Sequence, residues 1–108
     1  MTTAIIANLE KLLGGPRDGP LLRYALGNEW LKAGHPAQAA NCLRAALAGD
    51  AHYSAAWKLL GKALAASGDL PAARAANAEG IRVAEAKGDV QAAKEMAVFA
   101  RRIQGGPS

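Results

Sequence analysis

Apolar side chains recur along the chain three and four residues apart, with polar positions between them, the spacing of helices that bury one face. Ile5, Ile6, Leu9, Leu12 and Leu13 predict a helix over 3–13, stopped by Gly14-Gly15-Pro16. Leu22, Leu26, Trp30 and Ala33 predict a second, and Ala39, Leu43, Ala46 and Leu47 a third that starts near Pro36. Trp57, Leu60, Leu64 and Ser67 mark a fourth. Leu70, Ala73, Gly80, Ile81 and Ala84 form the stripe of a fifth, which runs on to Lys87 with Asn77 where a large apolar residue is expected. The last helix, over 89–104, turns Val90, Ala93, Met96, Ala97, Ala100 and Ile103 towards the core, with Phe99 beside them. The pattern therefore predicts an all-α chain of six helices.

The turns carry their own signals. Gly34 and Gly68 follow helical runs, where glycine closes a helix by taking positive φ. His35 precedes Pro36 as a helix-start residue, and Asp69 and Pro71 open the fifth helix as cap and first-turn residues. Gly88-Asp89 repeats the Gly68-Asp69 pair 20 residues later.

Sliding the chain along itself by 34 residues superimposes 20–53 on 54–87. Leu26-Gly27 falls on Leu60-Gly61, Gly34 on Gly68 and Ala39 on Ala73. A glycine inside a helix costs about 1 kcal/mol against alanine, so Gly27 and Gly61 call for a neighbouring helix at close range. Each unit is a helix, a turn and a second helix.

The pattern Leu-Gly, a large residue, then Gly and Ala, with Trp57 three residues before Leu60, resembles the tetratricopeptide-repeat (TPR) family. The layout is similar to that of short stand-alone bacterial TPR proteins. The resemblance implies one domain over 1–108, an α-solenoid in a right-handed superhelix. Its repeats would be 20–53 and 54–87, closed by capping helices at 3–13 and 89–104, because a terminal repeat otherwise leaves apolar surface in water. Gln104 to Ser108 would be a frayed tail. The chain departs from the family at Arg23, where a large apolar residue is usual, and at Ala51 and Glu85, where proline is usual.

The resemblance also implies a function: the first helix of each repeat lines a concave groove that holds an extended peptide or a helix of a partner protein. By repeat position, the groove takes Leu21, Tyr24, Asn28, Leu31 and Lys32 from one unit. The other supplies Ala55, Lys58, Lys62 and Ala65, with the two lysines one helical turn apart. Asn28 and Lys58 match residue types of TPR domains that clamp the acidic C-termini of heat-shock chaperones. Tyr24 replaces that clamp's lysine and Leu59 its second asparagine, and a third repeat is absent, so chaperone binding is not expected.

Composition changes the picture little. The 108 residues are 51% apolar but only 5% aromatic, which suits alanine-rich helices at close range and not a β-sandwich. The thirteen Lys and Arg residues give a net charge of +4, yet Arg101-Arg102 is their only adjacent pair and no nucleic-acid motif is present. An acidic or C-terminal segment of a protein is the expected partner; non-specific RNA binding is a remote alternative, and no membrane is expected. Cys42 is alone, so no intrachain disulfide forms. With no leader pattern and no apolar run near the ~20 residues of a membrane span, cytoplasm is the expected location.

The residues of chemistry are sparse. His35, Cys42 and His52 lack metal-ligand spacing, and no nucleophile motif or phosphate-cradling loop occurs. Neither catalysis nor a metal or cofactor is expected, and Trp30, Trp57 and Cys42 read as packing residues. A different reading makes the chain an assembly part, docked on a larger complex or a weak homodimer through Phe99, Met96 and the last helix.

Overall fold

The computed structural model describes residues 3–104 and consists of six helices among them: α1 (Ala4–Glu10), α2 (Pro20–Lys32), α3 (Pro36–Gly49), α4 (Ser54–Ala66), α5 (Leu70–Lys87) and α6 (Val90–Gln104). α2 packs on α3 and α4 on α5 as successive hairpins, and α3 carries α4. α6 sits against α5 and α4 as α4 sits against α3 and α2. The first helices α2, α4 and α6 are thereby set side by side in a body 42 × 31 × 19 Å across.

Local chemistry explains the boundaries. The Thr3 hydroxyl caps α1 by accepting the Ile6 N–H at 3.2 Å, and Asp69 caps α5 by accepting the Ala72 N–H at 3.2 Å. Gly34, Gly68 and Gly88 take φ of 85°, 91° and 75°, which ends α2, α4 and α5 at the expected places. α1 is shorter than the 3–13 span. Beyond it, Leu12 and Leu13 donate to Leu9 and Glu10 carbonyls in tight turns, and Gly14 turns at φ 79°. Leu12 still packs on Ile6, Leu22 and Leu26, while Leu13 faces water. Gln104 closes α6 instead of opening a tail, and 105–108 lie outside the described residues.

Arg23, the departure from the family pattern, holds this first loop. Its guanidinium donates twice to the Asp18 carboxylate at 2.9 Å, while Asp18 also accepts the Gly14 N–H at 2.8 Å. The Arg23 hydrogen bond and the Gly14 N–H hold the Asp18 carboxyl well below the usual carboxylate range.

The main core is built from α3, α4 and α5 around Leu43, Leu47, Leu60, Leu64 and a set of buried alanines. Small side chains let the axes approach, and the helical glycines sit where the approach is closest. A Cβ on Gly27 would lie 2.7 Å from Leu43 Cγ, and one on Gly61 would lie 2.9 Å from Asn77 Oδ1. Leu43 and Asn77 are 34 positions apart, as are the two glycines they cover.

Asn77 is 1% exposed; its amide donates to the Met96 carbonyl at 3.4 Å, and its Oδ1 has no partner among the described residues. A buried acceptor left unpaired costs about 1–3 kcal/mol, and the α2–α3 pair shows leucine fitting against a glycine at this position. Asn77→Leu is expected to raise the unfolding free energy by about 1 kcal/mol. Chemical denaturation checks it, and a lower midpoint would show that the amide stabilises the α5–α6 contact.

Besides Leu13, the expected apolar stripes leave Ile5, 55% exposed, and two helix-start residues facing water. Leu70 is 39% and Val90 60% exposed, because each is the first residue of its helix, level with the turn and short of the neighbouring helix. The buried face of α6 is Ala92 and Met96, with Ile103 against the main core. Its start is tied down by Asp89, which accepts the Ala92 N–H at 3.2 Å and the buried Ser54 hydroxyl at 3.0 Å.

Candidate functional site

A cleft of about 290 Å³ opens between α4 and α6. α4 contributes Lys58 and Lys62, one turn apart, and α6 contributes Glu95, Val98, Phe99 and Arg102, spaced along one helical face. Lys58 Nζ donates to Glu95 Oε1 at 2.6 Å, and the Gln91 amide donates to Glu95 Oε2 at 3.3 Å. These two hydrogen bonds, with the Lys58 and Lys62 charges behind them, hold the Glu95 carboxyl below its ordinary range. Lys62 and Arg102 form no ion pair among the described residues. Three cations and one carboxylate thus surround an apolar floor.

Of the residues expected to line a groove, the structure brings only Lys58 and Lys62 into this cleft. Tyr24 and Leu31 are half-buried against the main core, and the Tyr24 ring lies 5.1 Å from that of Tyr53 at a 31° tilt. Asn28 is half-buried on the same helix. Lys32 is exposed and reaches Glu29 at 3.4 Å, and Leu21 is 73% exposed at the start of α2. Ala55 and Ala65 are half-buried on α4.

The α6 side of the cleft was not foreseen. Glu95, Val98, Phe99 and Arg102 follow one another at helical spacing, which was the available signal. Which flank of α6 meets α4 depends on packing between segments far apart in sequence. Met96, expected towards the core and, in the assembly reading, at a surface between copies, is wholly buried within the single chain by α5 and Trp57, which agrees with the first expectation and not with the second.

A second cleft of about 390 Å³ lies on the opposite flank of α6, lined by Ile81, Glu85, Gly88, Val90, Ala93, Lys94 and Ala97. It is more apolar, and its two charges are of opposite sign.

The remaining candidates are packing residues. Trp57 donates its indole N–H to the Ala51 carbonyl at 2.9 Å and packs on both the main core and the α5–α6 cluster. Trp30 meets the His35 ring edge-on at 5.3 Å. Cys42 lies beside Ile6, Leu22 and Leu26, where burial pushes its thiol up and disfavours the nucleophilic thiolate. Among the described residues, no three His, Cys, Asp or Glu side chains are grouped to hold a metal ion, and no helix is long and apolar enough to cross a membrane.

Stacked helix hairpins with their first helices side by side define a helical-repeat solenoid. No family model matches the chain. It is 48% identical over 99 residues to a TPR repeat-containing protein of Pseudomonas aeruginosa, a match covering 92% of this chain and 94% of that protein. Among solved structures, that of a Bordetella parapertussis protein superimposes with a TM-score of 0.83 at 42% identity, over 94% of this chain and 89% of that one. A tetratricopeptide repeat domain protein from Salinibacter ruber matches with a TM-score of 0.76 at 27% identity, over 85% and 92% of the two chains. The chain belongs to the tetratricopeptide-repeat family, whose general role is protein–protein interaction.

Proposed function

We propose that the protein is a non-catalytic adaptor that holds an acidic segment of a partner polypeptide across α2, α4 and α6, anchored in the α4–α6 cleft. The observation that carries this reading is the cleft's composition: Lys58, Lys62 and Arg102 stand over Val98 and Phe99. An acidic segment with an interspersed apolar side chain satisfies both parts, the charges steering approach and the apolar contact supporting residence. Tyr24, Asn28, Leu31 and Lys32 on neighbouring α2 would contact the segment beyond the anchor. A partner's C-terminal carboxylate can supply one of these acidic groups.

Lys58→Glu with Lys62→Glu is expected to weaken partner binding at least about tenfold, since like charges placed across an interface cost several kcal/mol. Helicity should stay the same, because both side chains stand at the cleft and contribute nothing to the buried core. Affinity capture from the source organism's lysate, wild type against the double variant, reads this by mass spectrometry, with circular dichroism as the folding control. A protein retained equally by both would move the interface away from the cleft.

A further inference from the structure

Glu95 is the only acid among the six residues of the α4–α6 cleft, and it is engaged with a cation that the incoming segment needs. Its two carboxylate oxygens have separate partners: Oε1 meets Lys58 at 2.6 Å, and Oε2 takes the Gln91 amide at 3.3 Å. The pair spans two helices, so α6 places its own carboxylate where α4 presents its ammonium. It is also partly open to water, the side chains being 30% and 45% exposed, so it is weak enough to be exchanged. Lys62 and Arg102 meanwhile remain unengaged within the described chain.

Resting on the reading of this cleft as an anchor for an acidic polypeptide, we propose that Glu95 is a built-in competitor for the partner's carboxylate. In the free protein it occupies Lys58; in the complex a carboxylate of the partner takes Lys58, and Glu95 turns out to water with Gln91. A segment with a single acidic group then gains little, because it exchanges one carboxylate for another. A segment with two or more acidic groups and an apolar side chain engages Lys58, Lys62 and Arg102 together and seats on Val98 and Phe99. Glu95 therefore acts as a threshold that favours multiply acidic partners over singly charged ones, through a repulsive element inside the site.

The test uses fluorescence anisotropy at low salt with a labelled, amidated octapeptide alternating glutamate and leucine. Glu95→Gln is expected to tighten binding about three- to fivefold, the range a partly exposed ion pair can supply. Glu85→Gln makes the same change in net charge on the other side of α6 and is expected to stay within about twofold of wild type. In a Lys58→Gln background Glu95→Gln is expected to lose its effect, because the coupling runs through that one pair. If the peptide binds wild type, Lys58→Glu with Lys62→Glu abolishes that binding, and Glu95→Gln changes nothing, then the competitor is overturned and the cleft reading stands. Equal tightening by Glu85→Gln, or an effect that survives Lys58→Gln, also overturns it in favour of bulk charge. If neither wild type nor Glu95→Gln binds the peptide, the proposal fails, and the lysate comparison still decides the cleft reading by itself.

Discussion

Leu43→Ala is expected to lower the unfolding free energy by about 2–5 kcal/mol, the range for removing a leucine from a core that collapses only partly around the gap. Leu43 is 0% exposed, and its Cγ and Cδ2 stand over Gly27, at the closest approach of α2 and α3. α2 and α3 cannot move together to fill the space, because each also packs elsewhere: α2 on α1, and α3 on α4. A domain of this size has only about 5–15 kcal/mol in hand, so the thermal midpoint should fall by roughly 10 °C or more. A second substitution separates a specific fit from general hydrophobicity. Alone, Gly27→Ala brings a methyl 2.7 Å from Leu43 Cγ, and the clash outweighs the helix-propensity gain of about 1 kcal/mol. With Leu43 truncated as well, the two closest contacts are gone and the Ala39 carbonyl oxygen at 3.3 Å remains, so the same change should cost much less. Additive losses in the double variant would mean that the two positions do not interlock.

Gly80→Ala is expected to cost about 2 kcal/mol net and to loosen α6. A Cβ there would lie 2.5 Å from Met96 Sδ and 2.7 Å from Trp57 Cβ. The thioether can shift, since methionine is adaptable, but a tryptophan Cβ is fixed to its backbone and cannot rotate away. Overpacking of this kind costs about 1–3 kcal/mol, and relieving it means moving α5 away from α4 or from α6. Gly61→Ala makes a useful comparison. Its Cβ meets the end of the Asn77 side chain, Oδ1 at 2.9 Å and Cγ at 3.4 Å, and the Ala73 carbonyl at 3.7 Å, so a smaller loss is expected. Chemical denaturation in a Trp30→Phe background, where Trp57 is the single tryptophan, reads both by fluorescence. A Gly80→Ala protein as stable as wild type, with an unchanged Trp57 spectrum, would show that the α4–α5–α6 junction has slack that the close contacts do not suggest. Because α6 forms one wall of the cleft, the same variant should bind the acidic octapeptide more weakly.

Much of this protein was legible residue by residue. Helical spacing predicted six helices, and Gly34, Gly68 and Gly88 marked their ends, because a positive-φ position and a side-chain cap are local matters that a few neighbouring residues settle. The glycines inside α2 and α4 announced close packing for the same reason, a local penalty that needs compensation from a neighbour. The lysines of α4 were also placed on one face by spacing alone.

Spacing could not choose the buried face of α6. In an alanine-rich helix several faces look equally apolar: Met96 read as core and is buried, but Val90 read as core and is exposed, and the buried Ala92 did not stand out. Nor could it show that Arg23 would find Asp18 across a loop, or that the cleft's acid would come from 37 residues beyond Lys58. The sequence by itself determined the helices, their caps and the 34-residue repetition, since these follow from backbone preferences and from contacts within one turn. The tertiary structure alone decided which flank of α6 meets α4, and with it the pairing of Lys58 with Glu95 over an apolar floor. That choice is made by packing volume between distant segments, where one extra methyl at Gly80 would not fit and the thioether of Met96 does.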